Sequence, residues 1–144
     1  MPDHKKIYVP PGGPPQYRPN PEIYQKMGEE NIFQMLEDFY AILEGSEIRH
    51  LFPANMRESS KKSGAFFVFL LGGPPLYQQQ HGSPMMRQRH IHFTIDETAR
   101  QVWLRCFHEV LKDAETKYKF PKEHMEGFCQ FLDDFSAWMV NTKD

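Results

Sequence analysis

Residues 71–103 read LGGPPLYQQQHGSPMMRQRHIHFTIDETARQVW, and the architecture of the chain is organised around them. Gly72, Gly73 and Pro74 end whatever helix precedes them, because glycine loses the most backbone freedom on ordering and proline has no amide to donate. From there to Pro84 no helical period is visible, which predicts a loop, and a long loop in a small domain generally has a task. Pro84 opens a short helix through Met85, Met86, Arg87, Gln88, Arg89 and His90. Thr94 and Glu97 then stand three residues apart, the spacing of a capping box, and start a long helix that carries Trp103. A single imidazole, His90, is thus held on a short basic segment just before a tight corner.

Upstream, Asn20 and Pro21 make a helix start, a capping side chain followed by proline at the first helical position. That helix is short and ends near Gly28. From Asn31 onward Ile32, Leu36, Phe39 and Leu43 recur at steps of three and four, so they share one face beside Phe33 and Tyr40, until Gly45 stops the helix. Ser46 caps a brief turn carrying Ile48, Leu51 and Phe52, closed by Pro53. A helix over about 56–71 is polar at first and continuously apolar from Ala65, so its second half is buried on most sides; Ser59, Ser63, Phe66 and Leu70 share one of its faces. Downstream, the long helix turns Ala99, Trp103, Cys106, Phe107, Val110 and Leu111 inward and ends near Lys117. Pro121 begins the last helix, whose Met125, Phe128, Leu132, Phe135 and Met139 form an apolar stripe. Four substantial helices and no strand define an all-α chain.

At 144 residues this is one domain over 21–144, preceded by an extension over 1–20 that is rich in proline and glycine and too poor in apolar surface to form a core. Tyr8 and Tyr17 are the residues able to dock that arm. A net charge of -2 leaves no broad basic footprint, which argues against nucleic acid as a partner. No run approaches the roughly 20 apolar residues a bilayer needs, and no basic start leads into an apolar core, so we expect a cytoplasmic protein with no membrane contact. Cys106 and Cys129 form no disulfide framework, and reduced thiols are expected.

Histidines alone decide little. His4, His50, His81, His108 and His124 are scattered, and the pair His90 and His92 lacks the further ligands of a closed zinc site. What distinguishes His90 is its company. Gly72, Gly73, Pro74 and Tyr77 are followed by Gly82, Pro84, Arg87, Arg89, His90 and Phe93, then by Trp103, Leu104, Arg105 and Cys106; upstream stand Phe39 and Tyr40, then Phe52 and Pro53. Over roughly residues 22–144, this set at these spacings resembles the group II truncated haemoglobins.

The resemblance implies a shortened globin fold, in which two antiparallel helix pairs cross in a two-over-two sandwich around haem b. His90 would be the proximal ligand to the iron: a neutral imidazole binds metal through one nitrogen while the other donates a hydrogen bond that fixes the ring. The walls would be Phe39, Phe52, Phe66, Met86, Phe93, Phe107, Phe135 and Met139, with Lys62, Arg87 and Arg89 as cations near the propionates and Tyr77 brought toward them by the loop. Tyr40 and Trp103 match the family's distal tyrosine and tryptophan. Ser59 and Ser63 lie on the same distal side; Ser63 replaces a bulkier residue, and either offers a third donor or bonds back to the Ser59 carbonyl. A second departure is Glu29, where the family usually pairs a glycine with Gly28.

The function so implied is reversible binding of dioxygen, or of CO or NO, at an open sixth iron position. Two strong donors would slow release, which suits sensing, scavenging or redox chemistry better than bulk oxygen transport. The same iron would also serve a haem-dependent redox enzyme of peroxidase or nitric oxide dioxygenase type, fed by an external reductase. The remaining alternative is a haem-free helical interaction module that uses the proline-rich arm. A homodimer is the assembly allowed for.

Overall fold

The computed structural model describes residues 7–143, so the first six residues of the extension, His4 among them, lie outside the described part. Its elements are α1 Glu22–Glu44, α2 Met56–Leu70, α3 Leu76–His81, α4 Met86–Arg89, α5 Glu97–Leu111, α6 Ala114–Lys117 and α7 Met125–Met139, with 3-10 turns at Arg49–Leu51 and Lys122–His124. No strand occurs among the described residues. Helix α1 packs on α2, α5 packs on α7, and α1 meets α5 across the two pairs, which is a two-over-two sandwich.

The short helix expected to end near Gly28 does break there, and a second helical segment follows at once across a kink. Gly28 takes φ 80° and ψ 163°, and α1 resumes beyond it as a kinked continuation. A Cβ at this position would meet nothing within 4 Å, so the torsion angle and not crowding is what favours glycine. One glycine therefore suffices at this corner, and Glu29 simply continues the helix. At the start of α1 the Asn20 side chain accepts the Glu22 amide at 2.9 Å. At its end Gly45 has φ -94°, an ordinary conformation, so the chain stops without the left-handed cap.

The end of α2 is pressed against the start of α1. Gly72 has φ 111°, and a Cβ on it would lie 2.7 Å from the Pro21 backbone, so only glycine allows this approach. The Tyr24 amide donates to the Leu71 carbonyl at 3.1 Å across the same junction.

Three sequence expectations require correction. The segment predicted as a loop over 72–84 contains α3, six residues long, which begins after Pro75 and ends at Gly82. Its only buried residue is Tyr77, so it carries no apolar period to detect. The cap of α5 is Asp96, whose carboxylate accepts the Ala99 amide at 2.8 Å, in place of the Thr94 and Glu97 box. Helix α5 stops at Leu111, α6 follows as a separate short element, and the last helix proper begins at Met125 after the 3-10 turn.

Phe107 is fully buried where the pairs cross. Its ring lies 4.3 Å from Phe39 of α1, 5.6 Å from Phe67 of α2 and 5.8 Å from Phe128 of α7. Every long helix contributes one ring to this cluster, so aromatic contact fixes their mutual positions.

The described part of the extension lies against the domain. The Tyr17 hydroxyl donates to Asp134 on α7, and its ring packs edge-on against Phe131 at 5.8 Å. Arg18 donates to the Phe69 carbonyl at 2.8 Å, and the Tyr8 amide donates to the Asn141 carbonyl at 2.8 Å. Among the described residues no helix is long and apolar enough to cross a membrane.

Candidate functional site

Between the helix pairs lies a cavity of about 330 Å³, within the range of roughly 300–1,000 Å³ typical of small-molecule sites. Helix α1 brings Tyr40 to it, and the following turn brings Phe52. Helix α2 contributes Ser59, Lys62, Ser63 and Phe66, and α3 contributes Tyr77. Met86, Arg89, His90 and Phe93 come from α4 and the corner after it, Trp103 from α5, and Phe135 and Met139 from α7.

Two residues expected in the walls, Phe39 and Phe107, and one expected as a rim cation, Arg87, stand outside the cavity lining. Phe39 lies behind the cavity lining, edge-on to Tyr40 at 5.6 Å and to Trp103 at 5.5 Å. Phe107 backs Trp103 at 5.4 Å. Arg87 points away from the cavity: its guanidinium donates to the carbonyls of Trp138, Val140 and Tyr8, the last two at 2.7 Å, and lies 4.7 Å over the Trp138 ring. The sequence reading missed Arg100 and Ser136, which line the cavity and are joined by a hydrogen bond of 3.0 Å. Arg100 also reaches Glu97 and Asp133. The available signal was its place three residues before Trp103, which sets both on neighbouring faces of α5.

His90 is half-buried at the end of α4. Its Nδ1–H donates to the Met86 carbonyl one turn back at 2.7 Å, which leaves Nε2 as the nitrogen available to a metal. Burial pushes its pKa below the usual histidine value; the Met86 carbonyl pulls it partly back, and the Arg89 charge lowers it further. The ring is therefore neutral near pH 7, the state a metal ligand requires. Arg89 donates to the His81 and Ser83 carbonyls, each at 2.7 Å, and lies 5.3 Å over the Tyr77 ring, so it ties α4 to the end of α3. Lys62 is exposed at the rim.

On the opposite side burial pushes the Tyr40 phenol above its usual pKa, and a hydrogen bond with Ser63 offsets part of that. The hydroxyl stays protonated and Ser63 is its partner. Phe52 closes against the Tyr40 ring at 5.6 Å.

These residues suit haem. The cavity offers aromatic and aliphatic walls for a flat apolar macrocycle, cations at the rim for its propionates, and one neutral imidazole. Among the described residues no group of three or more histidine, cysteine or carboxylate side chains is gathered to hold a bare metal ion, so a single-histidine site suits a metal already held by a macrocycle.

A sequence profile of the bacterial-like globins matches residues 22–141. The chain belongs to this family. Within it, it is a truncated haemoglobin of group II: it is 35% identical over 119 residues to the group 2 truncated hemoglobin YjbI of Bacillus subtilis, covering 82% of this chain and 87% of that one. The phosphate-bound structure of Hell's gate globin IV superposes with a TM-score of 0.82 at 37% identity, over 91% of this chain and 81% of that one. The truncated oxygen-avid haemoglobin from Bacillus subtilis superposes with a TM-score of 0.75 at 31% identity, over 85% and 99% of the two chains. The family's cofactor is haem b and its general chemistry is gas binding at haem iron, which removes the haem-free interaction module as a reading of this globin.

Proposed function

We propose that this globin binds dioxygen reversibly, with His90 as the proximal ligand of haem b and Tyr40 and Trp103 as the distal donors. The observation that carries the reading is that these three side chains border one largely apolar cavity. Haem would be held by His90 and the apolar walls, and would supply a ferrous iron able to bind a gas. His90 presents a neutral Nε2, because its Nδ1–H is committed to Met86. Tyr40 keeps its proton, since burial disfavours the phenolate, and so remains a donor. Ser63 holds the phenol, Trp103 offers its indole N–H, and Phe39 and Phe107 brace both rings from behind. Phe52, Phe66, Met86, Phe135 and Met139 give the site apolar walls, with Phe93 at its exposed edge, and a donor beside apolar walls is stronger than one in water. Lys62 and Arg89 are the cations for the propionates, with Tyr77 beside Arg89.

CO and NO are further ligands of the same site. Slow dioxygen release follows from two donors bordering one cavity and fits sensing, scavenging or redox chemistry, for which an external reductase would supply electrons. Stopped-flow release of dioxygen tests the donors. Tyr40→Phe and Trp103→Phe should each speed dissociation by about ten- to a hundredfold, the loss of one hydrogen bond to a partly charged acceptor. Release at the parent rate in both variants would overturn the donor assignment. His90→Ala should abolish the strong haem absorption band of the reconstituted protein while leaving the helical content intact.

A further inference from the structure

Helix α4 is four residues long, has no side-chain cap and begins after Met85 in the left-handed conformation with φ 36°. A single turn of helix does not hold itself, because nucleation costs more than one turn of hydrogen bonds returns. Arg89 ties it to the end of α3, and the other groups that hold it come from the N-terminal arm and the segment at the end of α7. Asn141, fully buried just beyond α7, accepts the Ile95 amide through Oδ1 at 3.1 Å and donates to the His90 carbonyl through Nδ2 at 3.3 Å. Its own amide donates to the Ile95 carbonyl at 2.9 Å, and its carbonyl accepts the Tyr8 amide at 2.8 Å. Arg87 of α4 donates at once to Tyr8 in the arm and to Trp138 and Val140 at the end of α7. The corner that runs from His90 to Ile95 is thus gripped at both ends by one side chain, and the helix before it is tied by Arg87 to the arm and the end of α7 and by Arg89 to the end of α3.

We propose that the N-terminal arm and the segment after α7 form a clasp that sets how the His90 imidazole meets the iron. Arg87 and Asn141 are its positioning residues. The inference rests on the reading of His90 as proximal ligand. The link is mechanical: the ring is oriented by the Met86 carbonyl within α4, so a shift of α4 or of the His90 carbonyl turns the imidazole. Asn141 suits the role because an amide supplies an acceptor for Ile95 and a donor for His90 together, and burying it is tolerable only when both are used.

The test is the iron–histidine stretching band in the resonance Raman spectrum of the ferrous, ligand-free holoprotein. Asn141→Asp keeps size and the acceptor toward Ile95 but loses the donor toward His90; Tyr8→Pro removes the amide that reaches Asn141. Both should shift or broaden the band, and haem transfer to an excess of an apoglobin acceptor should accelerate by about fivefold, the loss of one hydrogen bond. A band at the parent position and width in both variants overturns the clasp. Should Asn141→Asp not take up haem, the band in Tyr8→Pro decides alone in the same sense. His90→Ala separates the two ideas: a band that survives it overturns the ligand reading and the clasp together, whereas a band lost in His90→Ala but unmoved in the clasp variants overturns the clasp only.

Discussion

Trp103 stands on α5, a helix of 15 residues whose inner side is buried from Ala99 to Leu111, while His90 stands at the end of α4, four residues long with no buried side chain. Behind Trp103 and Tyr40 lie the rings of Phe39 and Phe107, and behind Phe107 those of Phe67 and Phe128. Behind His90 lie carbonyls and amides: Met86, Ile95, Asn141 and, through Arg87, Tyr8 and Val140. The distal wall is held by packing, which is dense, non-directional and close to the centre of the molecule. The proximal wall is held by hydrogen bonds, which are directional and depend on distant parts of the chain being in place.

The largest expected effect lies on the packed side. Phe107→Ala should cost about 3–5 kcal/mol in denaturant unfolding, because it leaves a void among four rings that cannot all collapse inward. A loss below about 1 kcal/mol would mean that packing does not dominate there. Next in size is the contrast in local opening. Native-state hydrogen exchange should give the amides of Arg89 and His90 opening free energies lower by on the order of a few kcal/mol than those near Phe107, since a short helix can open without the core. Equal protection on the two sides would erase the distinction drawn between them.

The smallest effect concerns a hydrogen bond on the packed side. The Tyr118 hydroxyl donates to Asp38 of α1, which also accepts from Gln34 at 3.0 Å and pairs with Lys117 at 3.3 Å. Burial alone would raise the Asp38 pKa, but these three donors outweigh it and hold the carboxyl below its usual value. In the window between the two values the unfolded chain binds more protons, so the stabilisation is present above the ordinary aspartate pKa and is lost as pH falls through the folded one. Asp38→Asn should therefore lower stability by about 1 kcal/mol at neutral pH and by almost nothing near pH 2, read from urea midpoints at both pH values. An equal loss at both would show that the charge plays no part.

Much of this contrast could be anticipated on one side and not on the other. Phe39, Phe107, Phe128 and Phe135 are legible because apolar residues at helical spacing report burial locally, and the motif around Tyr40, His90 and Trp103 supplied the family and so the cofactor. Arg87 was not legible. In a basic segment beside a histidine it reads as a rim cation, yet its acceptors on Trp138 and Val140 lie 51 and 53 residues further along the chain. Arg100 was overlooked for the complementary reason, an arginine on a helix being most often a solvated charge, although its partner Ser136 is on another helix. Helix α3 escaped because glutamines form helix without leaving an apolar signature. At the start of α5 Thr94 and Asp96 are both cap-forming residue types, and the structure uses the second.

By itself the sequence determined that the chain is helical and which faces are apolar, because those properties are written in residues at most a few turns apart, and the residues set at fixed spacings around Tyr40, His90 and Trp103 marked a haem-binding globin. Only the tertiary structure decided which cations reach the cavity, which rings line it and which brace it, and that the two ends of the chain meet at the proximal corner. A long side chain has several directions open to it, and the choice among them depends on carbonyls and rings that local sequence does not bring near.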